Sequence, residues 1–394
     1  MKTLRLKKQE ERRLLAGHLW IFSNEVDSQL SPLSSFKAGE LVLIQDARGN
    51  SLGTGYINPH TLLCARVLTT NIHTPIDTLF FERRIRAALK LRERNFQTPH
   101  YRLVFSEGDY LPGLIIDRFG EDFVIEMSTA GMQACQTFIL EALQKIFSPR
   151  SILAHHHLTS RKLENLPLEN ELLAGTIPEY LAIEENGCSF MAPALIGQKT
   201  GWFYDHRNNR ARLKDYVSGK RVLDLYAYLG AWSVLAAKAG ADSVVAVDSS
   251  ALAIEYLHKN AERNSQNQKI QTYTEDVFIQ LEKFIQAGEK FDVILADPPA
   301  FIKRKADMKT GIQGYKKLQQ LCFKLLAPEG ILFTASCSLH LSAEELLNVI
   351  RQSSLKNSSH PRILEQLHQG QDHPLHPAIS ETAYLKGFVV STGA

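Results

Sequence analysis

The alternation of apolar and polar positions changes rhythm along the chain. From Leu4 to about Leu68, short apolar runs are broken by turns: "ELVLIQD", "ARGN", "SLGTGYI", "NPHT" and "LLCARVL". Val42 and Ile44, then Leu62, Cys64 and Arg66, repeat with period two, the spacing of strands buried on one face, which predicts a small β barrel. After Thr74-Pro75 a helix is expected through about Asn95, with Leu79, Phe80, Ile85, Leu89 and Leu91 as its apolar face and the arginines largely opposite. Residues 101 to 185 read as an α+β unit. Its expected elements are strands "YRLVF", "LIIDRF" and "DFVIEM", a helix from about Met132 to Ile146, and closing strands "SILAHH" and "EYLAIEENG". From Gly219 five β-type runs, "RVLDLY", "SVVAVD", "KIQTYTED", "FDVILAD" and "GILFTAS", are separated by helical stretches such as "SALAIEYLHKNAERN". That rhythm predicts a parallel sheet covered on both faces. The expected fold class is α/β: a doubly wound Rossmann-like domain over residues 186–394, preceded by a β-barrel domain over 1–72 and an α+β domain over 73–185.

With 394 residues, 44% of them hydrophobic and 22% charged, the chain has material for more than one core. No stretch has the length and apolarity of a membrane span, and "MKTLRLKKQEERRLLAG" lacks an apolar signal core, so a cytoplasmic protein without a membrane partner is expected. Cys64, Cys135, Cys188, Cys322 and Cys337 are scattered and form no C-x-x-C pair, which argues against both a disulfide framework and a zinc cluster. His155, His156 and His157 are consecutive, and on a strand at most two of them share a side, so no metal site is expected. The net charge is only +3, but the basic residues are bunched. Lys2, Arg5, Lys7, Lys8, Arg12 and Arg13 form one run, Arg83, Arg84, Arg86, Lys90, Arg92 and Arg94 a second, and "KRKADMK" from Lys303 a third. A single run reads as a solvated face; three in one chain shift the balance toward an acidic partner.

In a doubly wound sheet, ligands bind beyond the carboxyl ends of the strands. The first run leads into "LDLYAYLGAW", with Asp224, Tyr226 and Gly230 before a helix; the second ends at Asp248, the third at Glu275 and Asp276, the fourth in "DPPAF" and the fifth in "SCS". A carboxylate closing the second strand suits a ribose diol, although capping the next helix is the other reading of Asp248. Tyr226 and Tyr228 stand where a dinucleotide fold places small residues, which disfavours NAD and favours a nucleoside without phosphates such as S-adenosylmethionine. Pro298 and Pro299 hold the chain after Asp297 in an extended turn, a polar lip able to bind the edge of a planar base with Phe301 beside it. Cys337, one strand away, is either a small buried hydrophobe or a nucleophile for C6 of a pyrimidine, with Asp297 steadying N3 and the exocyclic amine.

These residues resemble the bacterial 23S ribosomal RNA large-subunit cytosine-C5 methyltransferases, S-adenosylmethionine enzymes of class I fold, over essentially the whole chain. "ERRLLAGHLWIFSNEV" and "GNSLGTGYINPHTLLCARVL" are similar to the family's RNA-binding PUA domain, and "SEGDYLPGLIIDRFGEDFVIEMSTAGM" to its central domain. "GQKTGWFYDHRNNR" resembles the segment leading into the methyltransferase core, whose motifs look like "DLYAYLGAW", "VDSS", "DPPAF" and "SCSLHL". The resemblance implies methylation of C5 of a cytidine in 23S RNA, with Cys337 as nucleophile and Asp297 on the site floor. Asp224, Tyr226 and Gly230 would line the methionine side of the cofactor, Asp248 would bind its ribose and Asp276 its adenine amine. Pro298, Pro299, Phe301, Lys199 and Arg207 are the candidates for holding substrate. The partner implied is 23S RNA or an assembling large subunit, and a homodimer is compatible with the sequence. Many RNA cytosine-C5 methyltransferases carry a second cysteine after the proline of the fourth-strand motif; Ala300 stands there, leaving the group that releases product unassigned. Two alternatives stay open: methylation of guanine N7 or an exocyclic amine without a thiol, and an inert RNA-binding or ribosome-assembly protein.

Overall fold

A computed structural model describes residues 1–156, 160–195, 200–356 and 360–393. It divides into two compact units, one of residues 1–181, 193–204 and 371–382, the other of 182–192, 205–370 and 383–394.

The first unit holds two five-stranded sheets. The N-terminal sheet has the spatial order Lys2–Arg5, Glu40–Gln45, Ser51–Ile57, Leu63–Thr69, Trp20–Phe22, with only the first pair parallel. Val42, Ile44 and Cys64 are fully buried, as period two requires, but Leu62 is 82% exposed. It precedes the strand, and its carbonyl accepts the Ser23 N–H at 2.8 Å instead. The second sheet runs Glu171–Gly175, Ser151–Ala154, Asp122–Met127, Leu114–Phe119, His100–Phe105. Its edge strand Glu171–Gly175 was not expected. Tyr180–Glu185, expected to complete this sheet, pairs instead with Cys188–Pro193 as a separate two-stranded hairpin.

The helix expected after Thr74-Pro75 spans Thr78–Asn95, and the Asp77 carboxylate caps it by accepting the Phe80 N–H at 2.9 Å. Its buried face differs from the expected one. Leu79 and Leu91 are each 47% exposed, whereas Arg92 is buried and donates to both Asp109 oxygens at 2.7 and 2.6 Å. A buried arginine needs acceptors for its donors, and here the carboxylate that meets them lies in a different element. The helix expected from Met132 is broken at Cys135 into Ala130–Ala134 and Gln136–Phe147.

The second unit is built on a seven-stranded sheet: β1 Arg221–Leu225, β2 Ser243–Asp248, β3 Ile270–Thr274, β4 Phe291–Ala296, β5 Leu326–Ser336, β6 His360–His368 and β7 Lys386–Gly393. The spatial order is β3-β2-β1-β4-β5-β7-β6. The first five strands are parallel, with helices α1 Ala231–Lys238, α2 Ala251–Arg263, α3 Val277–Gln286 and α4 Met308–Leu325 between them and α5 Ala343–Leu355 after β5. β6 and β7 form an antiparallel pair, and β7 inserts beside β5. Val222, Leu223, Leu225, Val244, Val247, Ile294 and Leu332 are completely buried, as expected for strands covered on both faces. The strand order reverses between β1 and β4, opening a crevice at their carboxyl ends, where the α/β fold places ligands. Among the described residues no helix is long and apolar enough to cross a membrane.

Candidate active site

The turn after β1 is held in a conformation most side chains avoid. Tyr226, Tyr228 and Gly230 all have positive φ, +61°, +48° and +84°. A Cβ at Gly230 would lie 2.6 Å from Leu257 Cγ, so neither the backbone angle nor the space admits another residue there. The turn is pinned to the end of β2, because the Ala227 N–H donates to the Val247 carbonyl at 3.1 Å and the Tyr228 N–H to Asp248 Oδ2 at 2.9 Å. Asp248 also accepts the Ser250 N–H at 2.8 Å, while Ser250 itself caps α2 through the Ala253 N–H. Capping and loop-pinning are thus divided between two residues, and the carboxylate of Asp248 stays at the crevice end of β2.

Asp224 is 1% exposed; it accepts the Ser233 hydroxyl on Oδ2 at 2.5 Å, and Oδ1 has no partner. Burial, followed by repulsion from Asp297 and Asp248, pushes its carboxyl up to about 7. The carboxylates of Asp297 and Asp248, at the ends of two other strands, are thus within electrostatic reach of Asp224. The Tyr226 hydroxyl and Trp232 Nε1 are likewise buried without a hydrogen-bond partner among the described residues. Such orphaned polar atoms are costly in a core and cluster where a ligand is to be met. Asp276 caps α3 with Oδ1, accepting the Phe278 and Ile279 N–H groups at 2.9 and 3.1 Å, which leaves Oδ2.

The other half of the site lies at β4 and β5, whose ends are neighbours through the pairing of Ala296 with Thr334. Asp297 is half-buried and lies 3.2 Å from His206 Nε2. The His206 Nδ1 lies 3.1 Å from Asn209 Nδ2, which leaves Nε2 facing Asp297. Pro298 is buried and Pro299 exposed. The Phe301 ring leans on Tyr315, with centroids 4.7 Å apart, and lies over Gly314, where a Cβ would sit 3.2 Å from it.

Beyond β5, Ser336 and Ser338 are fully buried while Cys337 between them is half-buried. The other four cysteines are buried, and burial pushes the thiols of Cys64 and Cys322 up to about 12. Both flanking serine hydroxyls bond the Tyr315 hydroxyl, at 2.8 and 2.9 Å, and Ser338 Oγ accepts the Ile302 N–H at 3.1 Å. That last bond ties the cysteine turn to the Pro-Pro loop. Lys386, at the start of β7, donates to the Ser338 carbonyl at 2.6 Å.

Of the residues the sequence singled out, the structure gathers Asp224, Tyr226, Gly230, Asp248, Asp276, Asp297 and Cys337 at the ends of the parallel strands. Arg207 is not an open cation: it is buried, with Nε 3.5 Å from Glu185. Lys199 and His157 lie outside the described residues. His155 Nε2 meets the Ala194 carbonyl at 2.7 Å, and the described residues contain no cluster of metal-ligating side chains. His206, Tyr315 and Lys386 were missed. His206 stood inside a quoted motif, and Lys386 is a lone cation opening the apolar run "KGFVV".

Comparison with known proteins agrees with this geometry. Residues 4–70 match the PUA-like domain family and residues 135–389 the S-adenosylmethionine-dependent methyltransferase family. The ribosomal RNA large subunit methyltransferase I of Tolumonas auensis is 36% identical over 394 residues, covering 98% of both chains, and that of Klebsiella pneumoniae strain 342 is 36% identical, covering 97% of this chain and 96% of its own. A solved SAM-dependent methyltransferase from Streptococcus mutans superposes with a TM-score of 0.83 at 21% identity, and a methyltransferase solved in complex with SAH with 0.84 at 20%, each covering 100% of both chains. The chain belongs to the S-adenosylmethionine-dependent methyltransferase family, and S-adenosylmethionine is its cofactor.

Proposed function

We propose that the protein methylates ribosomal RNA of the large subunit, and that the atom methylated is C5 of a cytidine, activated by covalent addition of Cys337 to C6. The observation that carries this reading is the position of Cys337: half-buried at the end of β5, held between two locked serines, and tied through Ser338 to the Pro-Pro loop after β4. The names of the relatives, ribosomal RNA large subunit methyltransferase I, support RNA as substrate. We take residues 1–72 as an RNA-binding domain, 73–185 as a central domain and 186–394 as the catalytic domain.

The residues fit a cationic nucleoside cofactor. Asp297 and Asp248 disfavour charge on Asp224, and a positive ligand beside them offsets that. The orphaned Tyr226 hydroxyl and Trp232 N–H offer polar contacts already stripped of water. In this reading Asp248 binds the ribose, Asp224, Tyr226 and Gly230 line the methionine part, and the remaining oxygen of Asp276 takes the adenine amine. The cofactor supplies an electrophilic methyl group.

The protein's own task is to make C5 nucleophilic. Cytosine C5 is a poor nucleophile until a thiolate adds to C6 and the ring's π electrons shift toward C5 and N3. Asp297, 3.2 Å from His206 Nε2, accepts from the exocyclic amine and shares a proton with N3, which neutralises the charge developing there. Pro298 and Pro299 hold that carboxylate on a rigid loop, and Phe301 packs the loop onto α4.

RNA carrying 5-fluorocytidine tests the reading. Fluorine cannot leave as a proton, so a covalent complex stable on a denaturing gel should form and map to Cys337. Cys337→Ala should abolish the complex and lower transfer by about 10⁴-fold or more. Full transfer by Cys337→Ala would instead assign methylation at an atom with its own lone pair.

A further inference from the structure

We propose that Lys386 is the cation that holds the Cys337 sulfur as a thiolate, making it a positioning residue for the nucleophile. The inference rests on the cytidine-C5 reading and deepens it.

Lys386 opens β7, antiparallel to β5 and in register opposite Ser336. This pairing delivers the side chain to the end of β5, where its Nζ donates to the Ser338 carbonyl at 2.6 Å, one residue past the sulfur. The lysine is 8% exposed. A buried ammonium costs several kcal/mol unless an opposite charge compensates it, and a single carbonyl does not. Among the described residues Lys386 forms no ion pair; the groups acting on its charge are Cys337 first and the Glu345 carboxylate of α5 second. Burial holds the ammonium below the usual lysine range, and a thiolate at Cys337 is the larger of the two influences opposing that.

The turn cannot easily swing the sulfur away. Ser336 and Ser338 both bond the Tyr315 hydroxyl, and the Ser338 N–H donates to Ser336 Oγ at 3.1 Å. Tyr315, facing the turn from α4, is kept neutral because burial raises its hydroxyl above the ordinary range, so it does not compete as an anion. Among the described residues Lys386 from β7 is a charged group acting with the sulfur, and Glu345 acts in turn on Lys386.

The chemistry balances with the cofactor as methyl donor and water as proton acceptor. The thiol proton passes to water, leaving a thiolate beside the ammonium. Sulfur's electron pair forms the S–C6 bond, and the negative charge moves onto the pyrimidine. The charged ring takes the cofactor's methyl group on C5; water then removes the C5 proton, that C–H pair re-forms the C5–C6 double bond, and the S–C6 pair leaves on sulfur beside the same ammonium. Lys386 keeps its proton throughout.

The test is the rate of alkylation of Cys337 by iodoacetamide against pH in the full-length protein, read by mass spectrometry of the Cys337 peptide. In the unmodified protein the midpoint should lie below the ordinary cysteine value of about 8.5; a midpoint at or above it overturns the proposal even if no variant folds. Lys386→Met should raise the midpoint by roughly one unit or more, a ~10-fold loss of alkylation rate near neutral pH, and Lys386→Arg should restore it. An unchanged midpoint in folded Lys386→Met refutes the role of Lys386. The 5-fluorocytidine adduct separates the two claims: an adduct at Cys337 together with an unmoved midpoint removes Lys386 but leaves the nucleophile standing.

Discussion

Buried charge is handled differently in the arginine–carboxylate pairs of the first unit and at the strand ends of the second. In the first, three arginines are matched. Arg102 donates to both oxygens of Asp117 at 2.8 Å, with the Thr200 hydroxyl as a further donor; Arg92 does the same to Asp109, and Arg66 meets Glu164 at 3.2 Å. At the strand ends of the second unit, Asp224 is buried beside other carboxylates and Lys386 is buried against a carbonyl. Matched pairs specify packing, whereas an unmatched buried charge is a cost the fold carries until a ligand or a reacting group supplies the missing partner. The stretches "LPGLIIDRFG" and "GQKTGWFYDHR" contribute Asp117 and Thr200 to a matched cluster. Those two residues are structural there.

The comparison is open to four tests. The largest effect is expected from breaking a matched pair: Arg102→Met leaves Asp117 buried and uncompensated and should cost about 3–5 kcal/mol in urea unfolding. A loss below about 1 kcal/mol would mean the pair is not matched against burial as argued.

The opposite sign is expected at Asp224. Its carboxyl is about 7 in the folded chain against about 3.8 unfolded, so between those values only the folded chain keeps the proton. Stability therefore falls as pH rises through that window and stays at the lower level above it. Asp224→Asn cannot ionise and should gain stability relative to the parent by on the order of 2–4 kcal/mol between about pH 4 and pH 7.5, while losing affinity for S-adenosylmethionine. Parallel pH dependence of parent and variant in urea unfolding would remove the unmatched charge from the account.

A smaller loss is expected at Gly230. Gly230→Ala meets both the positive φ and Leu257, and should cost roughly 1–3 kcal/mol, with weaker cofactor binding by calorimetry. Unchanged binding would detach the strained turn from the cofactor. The smallest effect concerns the exposed basic residues that follow Phe301. Replacing Lys303, Arg304 and Lys305 by alanine should leave folding intact, weaken RNA binding at every sequence alike, and flatten its salt dependence by roughly 0.7–0.9 in log–log slope for each phosphate no longer neutralised.

Much of the site was legible because the α/β rhythm says where to look. Asp224, Asp248, Asp276, Asp297 and Cys337 all terminate or follow apolar runs, and a parallel sheet collects such positions at one edge. The second basic run was misjudged at Arg92, since period alone cannot distinguish an arginine facing water from one facing a carboxylate in another element. The burial of Arg207 was unforeseen for the same reason, its partner Glu185 lying on the preceding hairpin. The last two strands were missed as well; β6 is largely exposed and β7 reads as a short apolar tail.

The sequence by itself determined the alternation of strands and helices, the acidic residue at the end of each early strand, the rigid Pro-Pro loop and the presence of a thiol after β5. Those are local properties, written in spacing and in the conformational limits of single residues. Only the tertiary structure decided which charges meet. The contact of Lys386 with the cysteine turn, of His206 with Asp297 and of Arg102 with Asp117 each depends on strand order and register, and the energy of a buried charge is set by neighbours that the chain brings together only on folding.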